Sequence, residues 1–166
     1  MTEVMGVLAA LLACAVMAPA VAHVLELPGK LRLSRADYSM VQRIYYPGFT
    51  IAGAGEFPGI IVAAVALALT GTGGPDFPLR ATGLVALAGM QAVYWLRVHP
   101  VNGFWLEGED LDRFSAGFFS FGARRREAGR GGSVEWTDLR ARWESGHAIR
   151  AALSVVAVTT LIVALA

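Results

Sequence analysis

The sequence is poor in cysteine and in charge. It has one cysteine in 166 residues, so no disulfide can form within the chain and no Cys-x-x-Cys pair is present. Charged residues make up 16% of the chain, against about 25% in soluble domains. A Walker loop, a dinucleotide fingerprint after a strand and a serine nucleophile elbow are also missing. The sequence therefore gives no support to the common nucleotide-binding and serine-hydrolase classes.

Hydrophobic residues are abundant instead. They make up 55% of the chain, and its mean hydropathy is +0.53. A bilayer core is about 30 Å thick, so about 20 helical residues cross it, and lipid permits no unsatisfied backbone groups. Four stretches have this length or nearly so. We predict an all-α fold in which residues 1–166 form a single membrane domain, a bundle of four transmembrane helices at about 4–25, 50–70, 81–99 and 134–166, the last entering the membrane near residue 147.

The basic residues predict the orientation of this bundle. Of the 14 lysines and arginines, all except Arg80 lie in or beside the polar segments that follow the first and third helices. The positive-inside rule makes those two loops cytoplasmic and both termini external. We expect an amphipathic helix in the loop between helices 3 and 4, and a bacterial inner membrane as the location. The start of the chain carries Glu3 and no basic residue, so we expect helix 1 to be retained rather than removed as a signal peptide.

Histidine is scarce, and its placement is informative. The three histidines, His23, His99 and His147, each fall at the predicted cytoplasmic end of a helix. Glu26 lies one helical turn after His23, and Glu56 lies near the start of helix 2, where a carboxylate is costly and marks a function by default. Imidazole and carboxylate together suit iron, copper or zinc. These five residues are the predicted metal ligands.

Other polar residues accompany this cluster. Asn102 follows His99 closely, and Trp143, His147 and Arg150 share one helical stripe. Tyr45 precedes helix 2 and can reach the cluster with its hydroxyl. Two alternatives stay open: a substrate or proton site without metal, and a structural network in which Glu56 pairs with Arg43, Arg97 or Arg150. The repeated Glu-x-x-His of di-iron bundles is missing.

Two short motifs resemble a known family. His-Pro-Val-Asn stands at 99–102, and Trp-x-x-x-His-x-x-Arg at 143–150. With the stretches His23–Lys30 and Tyr45–Gly48, they resemble the anthrone-oxygenase-like family of four-helix membrane proteins. The resemblance implies Asn102, Trp143, His147 and Arg150 as site residues. Some fungal members act as oxygenases on polycyclic anthrones, whereas most bacterial members have no assigned activity, so oxygenase chemistry enters here as an analogy.

These observations predict an oxidoreductase or oxygenase-like protein that acts on a hydrophobic small molecule from the bilayer. His23, His99, His147 and Trp143 would hold iron, copper or a haem. Glu56, Asn102, Arg150 and Tyr45 would be the catalytic residues, and Glu26 or Glu56 would ligate the metal or move protons.

Whether the chain is an enzyme at all stays open. The alternatives are a non-catalytic accessory or binding subunit of a larger membrane complex, and a small transporter in which Glu56 couples to protons. The transporter would need a homo-oligomer. We expect no nucleic-acid partner, because the basic run 122–132 suits a solvated loop beside anionic headgroups.

Overall fold

The computed structural model describes residues 1–45, 48–105 and 135–166 and consists of consecutive helices in these ranges. No strand occurs in these ranges, so the all-α prediction is confirmed. The elements, in chain order, are α1 (Thr2–Lys30), α2 (Arg35–Tyr45), α3 (Gly48–Ala54), α4 (Glu56–Thr70), α5 (Phe77–Val93), a π-helix (Tyr94–Val98), α6 (His99–Trp105) and α7 (Trp136–Val163). The loop predicted between helices 3 and 4 falls mostly outside the described residues.

Three helices are long and apolar enough to cross a membrane: Thr2–Lys30, Ile51–Thr70 and Trp136–Val163. The predicted third helix is also present but is divided. Helix α5 has 17 residues and passes directly into the π-helix and α6, so helical backbone runs without a break from residue 77 to residue 105. The first and third of the four helical segments, residues 2–30 and 77–105, are longer than predicted.

Helix α2 stands where the sequence indicated only a polar loop. Ser34 precedes it, and its Oγ accepts the backbone N–H of Asp37 at 3.3 Å while donating to the Asp37 carboxylate at 2.7 Å. This exchange satisfies an N–H that the first helical turn leaves without a partner. Ser34-x-x-Asp37 is therefore a start signal for α2. Helix α1 also runs on through Pro28 to Lys30.

The turn between α4 and α5 needs glycine. Gly71 follows the last residue of α4 with φ +72°, a left-handed conformation that side chains rarely adopt. Pro78 then occupies the second position of α5, where a missing N–H costs nothing. A glycine with positive φ and a proline at the start of the next helix therefore define the turn between α4 and α5.

The long helices pack in a ring, with small residues inside and large ones outside. Helices α1 and α5 each pack against both α4 and α7. Ala9, Ala13 and Ala63 are fully buried in these interfaces. Large apolar side chains instead cover the outside of the ring, among them Leu11 and Ile61. A soluble protein would expose polar groups there, whereas close packing through small residues is typical of membrane helices.

Arg80 secures the end of the ring that carries both chain termini. Its side chain is buried, and Nη2 donates to the carbonyl oxygen of Ala164, just past the last residue of α7, at 3.1 Å. A cation at a helix C-terminus is stabilised by the partial negative charge of the unpaired carbonyls. Gly6 makes room for it, since a Cβ there would lie 2.6 Å from Arg80 Nη1. The one basic residue outside the two basic segments therefore caps a helix.

Two glycines of α5 test how tightly the ring is packed. A Cβ at Gly83 would lie 2.8 Å from Cγ of buried Leu161, whereas one at Gly89 would lie an ordinary 3.5 Å from Leu153 Cδ1. We expect Gly83→Ala to destabilise the protein by about 1–3 kcal/mol through overpacking. Gly89→Ala should be neutral or stabilising, because alanine favours helix over glycine by about 1 kcal/mol. Thermal unfolding in detergent measures both variants, and equal effects would contradict the packing described here.

Candidate functional site

A cavity of about 100 Å³ lies at the opposite end of the ring from Arg80. Every helical segment contributes to its wall. Six aromatic side chains line it: Tyr45, Phe49, Phe57, Tyr94, Trp105 and Trp143. Seven polar or charged side chains line it as well: His23, Gln42, Glu56, Gln91, Asn102, His147 and Arg150. The cavity thus combines aromatic walls with several polar side chains, and we call it the site pocket.

The π-helix sets which residues of the third segment face the pocket. Tyr94 begins this helix, Val98 ends it, and Asn102 follows one turn later in α6; all three line the wall. A π-helix takes up one residue more than an α-helix over the same turn. If the segment were regular α-helix, Asn102 would rotate about 100° around the helix axis and leave the pocket.

Of the nine residues predicted for the site, seven line the pocket: His23, Tyr45, Glu56, Asn102, Trp143, His147 and Arg150. Glu26 and His99 do not. The Glu26 side chain is 42% exposed and accepts the Tyr45 hydroxyl at 2.5 Å. His99 is buried but packs against Trp95, with 4.6 Å between ring centroids, and against Tyr94.

The predicted five-residue ligand set is therefore divided. Only His23, His147 and Glu56 reach the pocket, and the Glu56 carboxylate is occupied by Arg150. Within residues 1–45, 48–105 and 135–166, no three histidine, cysteine or acidic side chains are grouped so that they could hold a metal ion. The physical reason lies in the packing: the Glu26 side chain lies at the partly exposed edge of α1, and His99 packs against Trp95 and Tyr94 instead of lining the cavity.

Two imidazole rings form the centre of the pocket. The rings of His23 and His147 lie 4.1 Å apart between centroids, tilted by 47°. Trp143 packs on both, at 4.2 Å from His147 and 4.9 Å from His23. Tyr45 and Phe49 close the other side of His23. Aromatic contacts of this kind hold both imidazoles in place without using their nitrogen atoms.

A buried ion pair joins two of the helices across the pocket. Arg150 Nη2 in α7 donates to Glu56 Oε1 in α4, and the two side chains are 8% and 3% exposed. Gln91, in the amide orientation that satisfies its neighbours, donates to Glu56 Oε2 at 2.5 Å and accepts Trp95 Nε1 at 2.8 Å. Arg150 also contacts His147 Nδ1 at 3.2 Å and lies over the Tyr94 ring. Pairing of Glu56 with an arginine, one of the alternatives left open by the sequence, is thus what the structure shows.

The two motifs behind the family resemblance meet in a direct hydrogen bond. Trp143 Nε1 donates to Asn102 Oδ1 at 2.8 Å, and both side chains are buried. Asn102 Nδ2 in turn lies 3.5 Å from the Tyr94 hydroxyl. The asparagine of one motif therefore orients the tryptophan of the other, which forms a wall of the pocket.

A second buried network lies behind this wall. Lys30 Nζ lies 2.9 Å from Glu144 Oε1, and Tyr38 donates its hydroxyl to the same carboxylate at 2.7 Å. The Lys30 ammonium also lies over the rings of Trp143 and Tyr45, at 5.3 and 5.5 Å from their centroids. The network thus ties α1, α2 and α7 together and supports two aromatic residues of the pocket.

Both tyrosines of this region stay protonated donors. Burial, aided by the Glu144 carboxylate, raises the pKa of Tyr38 far above its usual value of 10. Burial and the hydrogen bond to Glu26 raise the pKa of Tyr45 in the same direction. A hydroxyl that keeps its proton throughout the physiological range can serve only as a fixed donor to its carboxylate.

Sequence reasoning missed Lys30, Tyr38, Glu144, Gln42 and Trp105. A signal existed for two of them. Lys30 continues the stripe of His23 and Glu26 at helical spacing, and Glu144 precedes His147 by three residues on the same face of α7. The other three lie in α2 and α6, neither of which was predicted as a separate helix.

Comparisons of the chain with protein-family models, with curated proteins and with solved structures find no match. The resemblance to the anthrone-oxygenase-like family therefore rests on the two motifs and the helix layout alone, and it stays a prediction. The chemistry of the site has to be argued from its own residues.

The Lys30–Glu144 pair gives a stability test. Removing one partner leaves a buried charge uncompensated, so Lys30→Met and Glu144→Gln should each cost about 3–5 kcal/mol. The double variant removes both charges and should recover much of that loss. Thermal unfolding of the three variants in detergent measures this coupling. Purely additive losses would show that the two side chains do not act as a pair.

Proposed function

We propose that this chain is a four-span integral membrane protein that binds a hydrophobic small molecule in the site pocket and acts on it as an oxidoreductase. The pocket carries the proposal, because it places two buried imidazoles among six aromatic rings. Concave sites with apolar walls and a few buried polar groups are where small molecules usually bind.

The fourth span in this proposal is the continuous helical segment from residue 77 to residue 105. It packs between α4 and α7 in the ring, so it occupies the same layer as the three helices that are long and apolar enough to span. With the basic segments placed in the cytoplasm, the pocket lies at the cytoplasmic end of the bundle and Arg80 at the external end.

The ligand reaches the pocket from the bilayer. Phe57 lines the cavity and is nevertheless 49% exposed on the outer surface of the ring, at the first turn of α4. The cavity volume is on the scale of the roughly 150 Å³ cavities that take up a benzene-sized ring. A molecule that presents one ring to the pocket while the rest stays in lipid fits this geometry.

Proton transfer is the chemistry that these residues can perform. His23 Nδ1 is buried and, among the described residues, has no hydrogen-bond partner, so in the tautomer with the ring proton on Nε2 it can accept a proton from a bound ligand. Removing a proton makes a phenol or an enolisable ketone easier to oxidise by dioxygen as the electron acceptor, which agrees with the oxygenase chemistry implied by the family resemblance. The transporter alternative is weaker, because Arg150 and Gln91 already occupy the Glu56 carboxylate.

A pair of glycines in α3 tests the pocket. A Cβ added at Gly53, which lines the cavity, or at Gly48, which does not, would meet no atom within 4 Å. We expect Gly53→Leu to fill part of the pocket and weaken ligand binding more than tenfold, while Gly48→Leu binds normally. The measurement is mass spectrometry of small molecules extracted from each purified variant. An unchanged ligand content in Gly53→Leu would place the binding site elsewhere.

Elemental analysis of the same preparations addresses the prediction of iron, copper or haem. A metal or haem near one per chain, lost in His23→Ala and His147→Ala, would support a cofactor held by the two pocket histidines. Retention in both variants would remove them as ligands.

The orientation has its own test. Cys14 is replaced by serine, and single cysteines are introduced at the exposed positions Gly73 and Arg32. A membrane-impermeant maleimide should label Gly73→Cys in intact cells, and Arg32→Cys only after lysis. The reverse pattern would invert the proposed topology.

A further inference from the structure

We infer that the pocket binds its ligand through a neutral carbonyl oxygen, and that His147 acts there as a hydrogen-bond donor held in one tautomer by Arg150. This inference rests on the proposed function and specifies the chemistry of the ligand. It also assigns His147 a role other than the metal ligation that the sequence suggested.

The tautomer follows from the contact between Arg150 and His147. Arg150 Nη1 lies 3.2 Å from His147 Nδ1, and a guanidinium group can only donate. Nδ1 must therefore accept, which leaves the ring proton on Nε2. His147 Nε2 is buried and has no partner among the described residues, so the ring offers an N–H to the pocket.

Two other unpartnered nitrogens of the pocket wall are also hydrogen-bond donors. Trp105 Nε1 and Arg150 Nε are buried without a hydrogen-bond partner in the described part of the chain, and both can only donate. Each of these side chains is more than nine-tenths buried. Gln42 Nε2 also lacks a partner, but the amide of Gln42 can rotate and does not decide the matter. Buried polar groups are almost always satisfied in native proteins, so several unused donors around one cavity indicate a missing acceptor.

Two strong acceptors of the pocket wall are already engaged. Glu56 accepts from Arg150 and Gln91, and Asn102 Oδ1 accepts from Trp143. A ligand that brings an acceptor therefore satisfies the wall, whereas one that brings only a donor competes for groups in use. His23 Nδ1, whose tautomer no contact fixes, can adapt to either.

The charge balance around the pocket favours a ligand with a neutral carbonyl group over one with a carboxylate. The positive charge of Arg150 is balanced by Glu56, and that of Lys30 behind the wall by Glu144. An additional buried anion would have no counter-charge of its own and would be costly to desolvate. A metal at His147 Nε2 does not fit this arrangement, because coordination needs the lone pair that the Nε2 proton occupies.

The test compares two probes of nearly equal shape, 1-indanone, which has a ring carbonyl, and indane, which lacks it. Their dissociation constants are measured by calorimetry on the full chain in nanodiscs. We expect wild type to prefer 1-indanone by about tenfold, the range of one or two added hydrogen bonds. His147→Leu should lose about three- to tenfold of that preference. His147→Gln should retain it, because the glutamine amide can place an N–H near the position of Nε2.

Infrared spectra of bound 1-indanone give a second readout that does not depend on stability. Its carbonyl stretch should be lower in frequency in wild type and His147→Gln than in His147→Leu. Equal affinity for the two probes, or a carbonyl stretch unaffected by His147→Leu, would overturn the inference while leaving the hydrophobic pocket in place. Failure of both probes to bind, with no difference between wild type and Gly53→Leu, would overturn the proposed function as well.

Discussion

The ion pair between Glu56 and Arg150 is the interaction on which the rest of the site depends. Two charges in the interior of a membrane protein are tolerated only when they neutralise each other, so this pair fixes the first turn of α4 against the middle of α7. The same guanidinium group then reaches His147 Nδ1 and covers the Tyr94 ring. One side chain thus balances the charge of the pocket, selects an imidazole tautomer and packs against the third helical segment. Its removal would disturb all three together, which is typical of coupled buried networks.

The helices around this pair pack as expected for a protein surrounded by lipid rather than by water. Alanines and glycines bring the helices close together, and the larger apolar side chains are left for the outside of the ring. Because the bilayer already solvates those side chains, burying them inside would gain little, and close backbone contact becomes the better use of the interface. Among the described residues, the buried charged groups lie at the two ends: Arg80 near the chain termini, and Lys30, Glu56, Glu144 and Arg150 with the histidines at the other end.

Much of this could be predicted from the sequence, since helices and the cost of buried charge depend on local composition. Hydropathy is enough to find the all-α architecture, and the default functional reading of intramembrane charge is enough to single out Glu56. The pairing of Lys30 with Glu144 joins residues 114 positions apart, and no local pattern encodes such a distance. His99 was misplaced because helical spacing alone does not show which face of the third helical segment lines the pocket. Glu26 was misplaced because it lies on the same side of α1 as His23 but at the margin of the helix interface, where its side chain is partly exposed.

The π-helix at Tyr94–Val98 has a consequence for how relatives of this chain should be compared. Because such a segment amounts to one inserted residue, a protein lacking it would align with a single-position gap between Val93 and His99. The asparagine after that gap would still face the pocket, whereas in a regular α-helix of unchanged length it would turn about 100° away from it. A shared His-Pro-x-Asn motif therefore indicates a shared pocket only where the helix before it either has the same length and a π-helix or is one residue shorter without one.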